Sequence, residues 1–514
     1  MKKIYFLLTT GLLLAACTTN FGEYNRNPNQ MPVGGVGPFG IIEDAIFDGA
    51  DGLLYRTVQL NGELVQYTTQ RYTENVHRYI IRDSYVQGAW NHLARAASYA
   101  DEMRRLAVIA QEEGVPEADN ALGIALTLRA LYVSYWTDIW GEVPFSEAFQ
   151  GRVDGGQGNT QPRFDTQQAI YTQLLADLEQ ANKLFNPSAK IDEDQMAMIR
   201  SKDLLYGGDF ARWRKFANSL HLRLLMRLTN RDAETGAAEG FNRIVSNPVD
   251  YPVFTSIDDA AIVYYTGQDP FVNRFGDVAE PSFSSNARLM AENLVNLMDE
   301  NDDPRLGIYA VQRNNQWKGL VSGYSTPDTD QAASGCALMN KDVLGLKNSP
   351  YSLMRYDELL FLLSEAAKRG MIAGGEAAAE KYYDEAILSS IDFWDGINPS
   401  SDYEVSDLQR EQFLKKVAYN GSLERILTQK YIALYYVGYE AYCDLRRTGY
   451  PQLNIGPATS NEGVLPTRLV YPERTVSTNE AHVREAIARQ GPDNMRTPVW
   501  WSAEAAARTN GSTN

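Results

Sequence analysis

Beyond residue 40, apolar side chains recur at the spacing of an α-helix, and this restricts the fold more than any other feature of the chain. Leu122, Ala125, Leu126, Ala130 and Val133 follow Asp119 at that spacing; Ile170, Leu174, Leu175 and Leu178 repeat it within 167–184. Residues at i, i+3, i+4 and i+7 share one face of a helix, and that face has to be covered by another element. The same reading gives helices over 41–67 and 84–111, the second with Trp90, Leu93, Ala97, Ala100 and Leu106 on one side. Over 213–228, Phe216, Leu220, Leu224 and Leu228 form the apolar stripe, and Arg223 and Arg227 fall on the wetter side.

Between about 232 and 350 the pattern is broken repeatedly by Gly, Pro, Asn and Asp. One helix is expected at 286–301 and a short strand at 261–265, with long loops elsewhere; irregular stretches of this length are usually functional. Helices resume at 351. Ala367, Ala379, Tyr383 and Ala386, with Leu363 at the leading large position, follow the small-residue and aromatic spacing of a tetratricopeptide helix pair. Gly370 departs from that pattern, and an ordinary Ala-rich hairpin would show much of it. A further helix is expected over 422–448, ended by Gly449 with Pro451 beyond it. The tail from 465 reads as irregular, with a short helix at 480–489.

The first residues address the compartment. Lys2 and Lys3 precede an apolar run over 4–16, which is too short for a membrane span of roughly 20 residues. It suits a secretory signal, and Leu14-Ala15-Ala16-Cys17 has the form of a bacterial lipobox, whose Cys is lipidated. Residues 1–16 are therefore expected to be removed, 17–40 (rich in Asn, Pro and Gly) to form a tether, and 41–514 to form one domain. Losing residues 1–16 removes two Lys and no acid, so the net charge moves from −17 to −19. Such a chain repels phosphate backbones and anionic membrane surfaces, so nucleic acid is a poor partner and membrane attachment falls to the lipid. Cys336 and Cys443 are the remaining thiols. One sits in a loop and one in a helix, and they are expected to stay unpaired.

Motifs for catalysis or cofactors lack their context. Gly35-x-Gly37-x-x-Gly40 contains Pro38, lies in the tether and follows no strand, unlike a dinucleotide turn. His77, His92, His221 and His482 form no close ligand pair. No nucleophile elbow or phosphate loop is present. Asn301-Asp302-Asp303-Pro304-Arg305 lacks the spacing of a calcium loop and reads as a helix end followed by a turn. Neither a cofactor nor a metal is expected.

Several strings matter jointly. They are Asp138-Ile-Trp-Gly-Glu-Val-Pro144-Phe-Ser-Glu-Ala148, the stretch from Asp203 through Tyr206, Gly208, Asp209 and Trp213 to Arg223, and Tyr356-Asp-Glu358 with Glu365. Arg425 to Leu434, Glu440 to Pro451 and Leu465-Pro466-Thr-Arg468 to Pro472 complete the set. In content and order they resemble the SusD/RagB lipoproteins over essentially the whole mature chain. The resemblance implies a mainly α fold with four tetratricopeptide-like helix pairs, a loop-rich irregular half and a few short strands. It implies a surface-exposed, outer-membrane, lipid-anchored protein that binds a glycan or a peptide without catalysis. It also implies a lid-like partnership with a SusC-type TonB-dependent barrel. Cys17-Thr-Thr-Asn-Phe-Gly-Glu23 departs from the acidic run that often follows the lipidated Cys. A lipid-anchored surface hydrolase and a tetratricopeptide scaffold for proteins are the competing readings. Arg446, Arg447 and Glu440 are expected to make ion pairs or cap carbonyls, not to touch ligand.

A nutrient site needs flat apolar faces and hydrogen-bonding tips carried on loops. The loop over 67–83 offers Tyr67, Arg71, Tyr72, Asn75, His77, Arg78 and Tyr79; the irregular middle offers Phe271, Trp317 and Tyr324. Tyr72 and Trp317 are the expected stacking residues, with Arg71 and Asn75 as polar partners. The two Arg and one His of the loop suit a carboxylate and so incline the reading toward acidic glycans or peptides. The resemblance implies the same two regions.

Overall fold

The computed structural model describes residues 37–71, 76–152, 158–276, 283, 287–399 and 404–502. The expected signal segment, Cys17 and most of the expected tether lie outside these residues. Pro38 and Phe39 are already buried in a 3₁₀ turn, and the Phe39 ring lies 6.2 Å from that of Phe210.

The N-terminal half is a run of helices. α1 (Ile42–Arg56) continues through a π-helical segment, Thr57–Asn61, and a last piece, Gly62–Leu64. α2 (Asp83–Glu112), α3 (Ala118–Trp140), α4 (Gln167–Leu184) and α5 (Phe210–Arg227) follow. Neighbours are antiparallel. Asp48 meets Arg95 while Gly52 faces His92 between α1 and α2. Arg129 meets Asp177 while Asp138 meets Tyr171 between α3 and α4. Local chemistry sets the ends. Thr166 accepts the Ala169 amide at the start of α4, Asp209 accepts those of Ala211 and Arg212 at the start of α5, and Gly141 ends α3 at a φ of 80°.

The irregular middle is held by short antiparallel pairings. β1 (Thr68–Gln70) pairs with β3 (Arg288–Met290), and β2 (Ala261–Val263) pairs with β4 (Tyr351–Met354). The expected helix over 286–301 is trimmed to α6 (Glu292–Asp299), because its first residues extend into β3. Beyond α6, Asp302 turns at a φ of 50° and Asp303 pairs with Arg305 at 2.6 Å, both fully buried at the side chain. The expected turn is therefore what the run Asn301 to Arg305 forms.

α7 (Tyr356–Lys368) and α8 (Gly375–Gly396) make the tetratricopeptide-like hairpin. Ala367, Ala379, Tyr383 and Ala386 are at most 1% exposed, and Ser364 Oγ donates to the Ala379 carbonyl at 2.7 Å. Small residues let the two backbones approach, as their spacing requires. After α9 (Asp407–Lys416), the helix expected over 422–448 is two helices, α10 (Leu423–Ala433) and α11 (Glu440–Thr448). The break comes from Tyr436 at a φ of 70° and Gly438 at 42°. The Gly438 carbonyl accepts from Asn61 Nδ2 at 2.7 Å, and a Cβ there would lie 2.9 Å from the Tyr135 hydroxyl. Gly438→Ala is expected to cost about 1–3 kcal/mol, read as a lower denaturant midpoint; an unchanged midpoint would show that the turn tolerates a side chain.

Arg223 and Arg227 do not face water, contrary to the pattern reading. Each side chain is 2% exposed. Arg223 forks onto Glu358 with both contacts at 2.7 Å. Arg227 bridges Asp138 at 3.0 Å and Glu440 at 2.6 Å. Arg447 pairs with Glu365 at 2.6 Å and Asp444 at 3.0 Å, and Lys430 closes on Asp444 at 2.5 Å. Most of the strings that carry the family resemblance thus meet in two sets of buried ion pairs, Asp138–Arg227–Glu440–Arg223–Glu358 and Glu365–Arg447–Asp444–Lys430, between α3, α5, α7, α10 and α11. As expected, Glu440 and Arg447 serve as ion-pair partners, and Arg446 donates to the Asp138 and Thr467 carbonyls. Cys336 and Cys443 are buried and unpaired. No helix among the described residues is long and apolar enough to cross a membrane.

Candidate ligand-binding face

The loop after α1 and the irregular middle do come together. β1 lies on β3, Ala291 N donates to the Tyr67 carbonyl at 3.0 Å, and Thr69 Oγ1 meets Ser322 Oγ at 2.6 Å. Gly323 N donates to His77 Nδ1 at 3.1 Å, which aligns the chain carrying Tyr324 with the loop after α1. The segment after Asn454 closes the third side. Ser460 donates to the Arg78 and Tyr79 carbonyls at 2.8 Å and 2.6 Å.

Three expected ligand residues are parts of this frame. Tyr67 is 1% exposed, and its hydroxyl donates to the Tyr431 carbonyl at 2.5 Å; Tyr431 returns a bond to the Val65 carbonyl at 2.7 Å. Tyr79 is 2% exposed, on backbone at a φ of 59°. His77 is buried, and burial, with Arg78 nearby, pulls its pKa down to about 4. A neutral ring is what Nδ1 needs to accept the Gly323 amide. Tyr67, His77 and Tyr79, expected as ligand contacts, are thus buried in the packing of the loop in this structure. A loop aromatic with a backbone partner gains more from the core than from solvent.

Tyr72 and Asn75 lie outside the described residues. Arg71 is half-buried, and its Nε donates to Asp330 at 2.8 Å. That pairing already answers its charge, which weakens the case for an acidic ligand. Tyr324 is half-buried on the same face. Trp317 stands apart from the loop after α1. It lines a cleft of about 280 Å³ between the end of α6, the turn over 302–307 and the start of α9. Asp299, Glu404 and Gln409 share that cleft. Pattern reading could not find them, because Asp299 and Glu404 lie far apart in the chain and neither belongs to a motif. Phe271, also offered by the middle, packs edge-on against Phe47 at 5.4 Å.

A family model described as starch-binding, associating with the outer membrane, matches residues 30–472. The chain belongs to the SusD-like family. Its fold is found in solved structures of low sequence identity. A chitin-binding protein is 24% identical, with a TM-score of 0.75, covering 91% of this chain and 100% of its own. A SusD homologue from Parabacteroides distasonis is 20% identical, with a TM-score of 0.75, covering 91% of this chain and 98% of its own. A chitin-binding SusD homologue from Flavobacterium johnsoniae is 21% identical, with a TM-score of 0.70, covering 90% of this chain and 99% of its own. No curated protein matches the SusD-like chain significantly.

Proposed function

We propose that this SusD-like protein captures a nutrient oligomer and hands it, as a lid, to a SusC-type TonB-dependent barrel. The observation that carries this reading is the family match over residues 30–472. The described residues add a face where two loop regions are held together and a cleft with an aromatic wall at Trp317. A glycan is the first ligand class to test, because the family description names starch and two structural relatives are named as chitin-binding. A peptide is the second, and an acidic ligand loses its support with Arg71 paired to Asp330. Calorimetry across neutral glycans and peptides is expected to show saturable binding without product formation. Multiple turnovers would replace the binder with a surface hydrolase. Trp317→Ala is expected to weaken binding about tenfold or more, the effect of removing an aromatic anchor; unchanged affinity would move the site away from the cleft.

Residues 1–16 serve in this reading as a cleaved signal, and Cys17 carries the lipid that holds the protein at the outer membrane. Cys17→Ser is expected to shift the protein from the membrane fraction to the soluble fraction. Full membrane retention of that variant would remove the lipid from the scheme. A lid of this kind buries upwards of about 2,000 Å² against its barrel, so gentle detergent extraction of native membranes is expected to recover both together.

A further inference from the structure

The Trp317 cleft carries negative charge that the fold itself does not use. Of the residues lining it, Asp299, Asp302, Asp303 and Glu404 are acidic, and no Lys, Arg or His joins them. Two of the four are answered. Asp303 is buried and holds Arg305 at 2.6 Å, and Asp302 meets Lys416 at 2.5 Å. Asp299 and Glu404 are exposed and have no ion-pair partner among the described residues. Other cations of α9 are engaged elsewhere, Arg410 with Asp392 and Asp395, and Lys415 with Glu411.

The position of Asp299 points the same way. It is the last residue of α6, which has no basic residue in its last turn. The carbonyl end of a helix disfavours negative charge, so Asp299 weakens the helix it ends, and the fold gains no ion pair from it in return. No group of three acidic, His or Cys side chains among the described residues could hold a metal ion. The charge of the cleft is therefore not gathered for one metal. Its volume, about 280 Å³, lies near the lower end of small-molecule sites, roughly 300–1,000 Å³, so it takes part of a chain and not a whole oligomer. Trp317 completes it, and an indole is the ring that attracts an ammonium group best.

We propose that this cleft selects glycans that carry free amines, so that the nutrient is an amino-sugar oligomer with unacetylated units. The inference rests on the cleft being the nutrient site and on a glycan being its ligand. Ammonium groups of the chain pair with Asp299 and Glu404, and Trp317 forms the aromatic wall beside them. Neutral sugars also donate hydroxyls to carboxylates, but a bond with charge on both sides is the stronger. An N-acetylated unit offers no such charge.

Calorimetry of the full chain in mildly acidic buffer, where sugar amines carry their protons, compares a glucosamine oligomer with its N-acetylated counterpart of equal length. The glucosamine oligomer is expected to bind about tenfold more tightly or better, the worth of one hydrogen bond between charged groups. Added salt should weaken it more than its counterpart. Asp299→Asn with Glu404→Gln is expected to erase the difference. Glu112→Gln with Glu113→Gln, which removes two exposed charges at the end of α2, is expected to keep it. Erasure by both double variants would show attraction by overall charge and overturn the site. Equal affinity for the two oligomers in wild type overturns the amine preference and leaves glycan capture standing. Tighter binding of oligolysine than of the glucosamine oligomer overturns it in favour of a basic peptide. Binding of neither oligomer overturns it as well, and joint recovery with the barrel then decides the capture reading by itself.

Discussion

Asp138→Ala is expected to destabilise the protein by about 3–5 kcal/mol, the range for breaking a buried ion pair from one side. The carboxylate is fully buried and holds several donors at once. It accepts from the Tyr171 hydroxyl at 2.6 Å, Trp501 Nε1 at 2.7 Å and Arg227 NH1 at 3.0 Å. Burial raises its pKa, and Arg227 is the neighbour that opposes that rise most strongly. Alanine leaves that guanidinium with Glu440 alone and strands a hydroxyl and an indole N–H in the core. Asp138→Asn keeps an acceptor while losing the charge and is expected to cost less. Urea unfolding checks both. A midpoint for Asp138→Ala within error of wild type, at constant slope, would falsify the view that the network is held from this residue. The network joins α3, α5 and α11, so its loss is expected to reach the helical half before the loop-rich half.

The helices were legible because burial on one face writes a period into the sequence. Leu174 and Leu178 are fully buried at the positions the period chose. The same period misplaced Arg223 and Arg227, since a charged residue on a helix is assigned to water unless its partner is known. The partners, Glu358 and Glu440, sit more than a hundred residues away. The family strings marked these residues without saying why they were together. The break between α10 and α11 was missed because its turn is aromatic: Tyr435, Tyr436 and Tyr439 are buried and continue the apolar pattern across it, and only Gly438 signals the change. The candidate site was legible as two regions and not as residues. Loop aromatics read alike in sequence whether they face a ligand or the core. Tyr67 and Tyr79 turned inward because backbone and ring partners from distant segments meet them there. Trp317 gained its cleft neighbours, Asp299 and Glu404, only through the fold.

Stability is expected to fall as pH drops from about 6.5 to 4, by about 3 kcal/mol for each of two histidines. His77 and His221 are 4% and 3% exposed, and burial brings each to about 4. Arg78 adds to the shift at His77; at His221 Glu179 opposes it and Arg243 adds to it. In the unfolded chain an imidazole takes its proton near 6.5, whereas in the folded chain it waits until about 4. Between those values the unfolded state binds more protons, so acid favours unfolding; above about 6.5 the contribution is complete. Carboxylates whose pKa burial raises, such as Asp138 and Asp177, act in the opposite sense when their protons go on. Glu365, held at about 2 chiefly by Arg447 against burial, starts to lose its contribution near 4.5, at the acid end of the histidine window, and loses it fully near 2. Variants therefore isolate the imidazoles. His77→Asn keeps an acceptor for the Gly323 amide, and His221→Leu removes a ring whose Nδ1 has no partner among the described residues. Urea unfolding at pH 7.5, 6.5, 5.5 and 4.5 should show a steep loss for wild type and a flatter one for the double variant. Equal slopes would mean that the buried rings are not what charges on unfolding. Protonating His77 in the folded chain, near pH 4, also breaks its bond to Gly323, so the chain carrying Tyr324 is expected to loosen only at that acid end, and nutrient affinity should fall near pH 4 in wild type and less in His77→Asn.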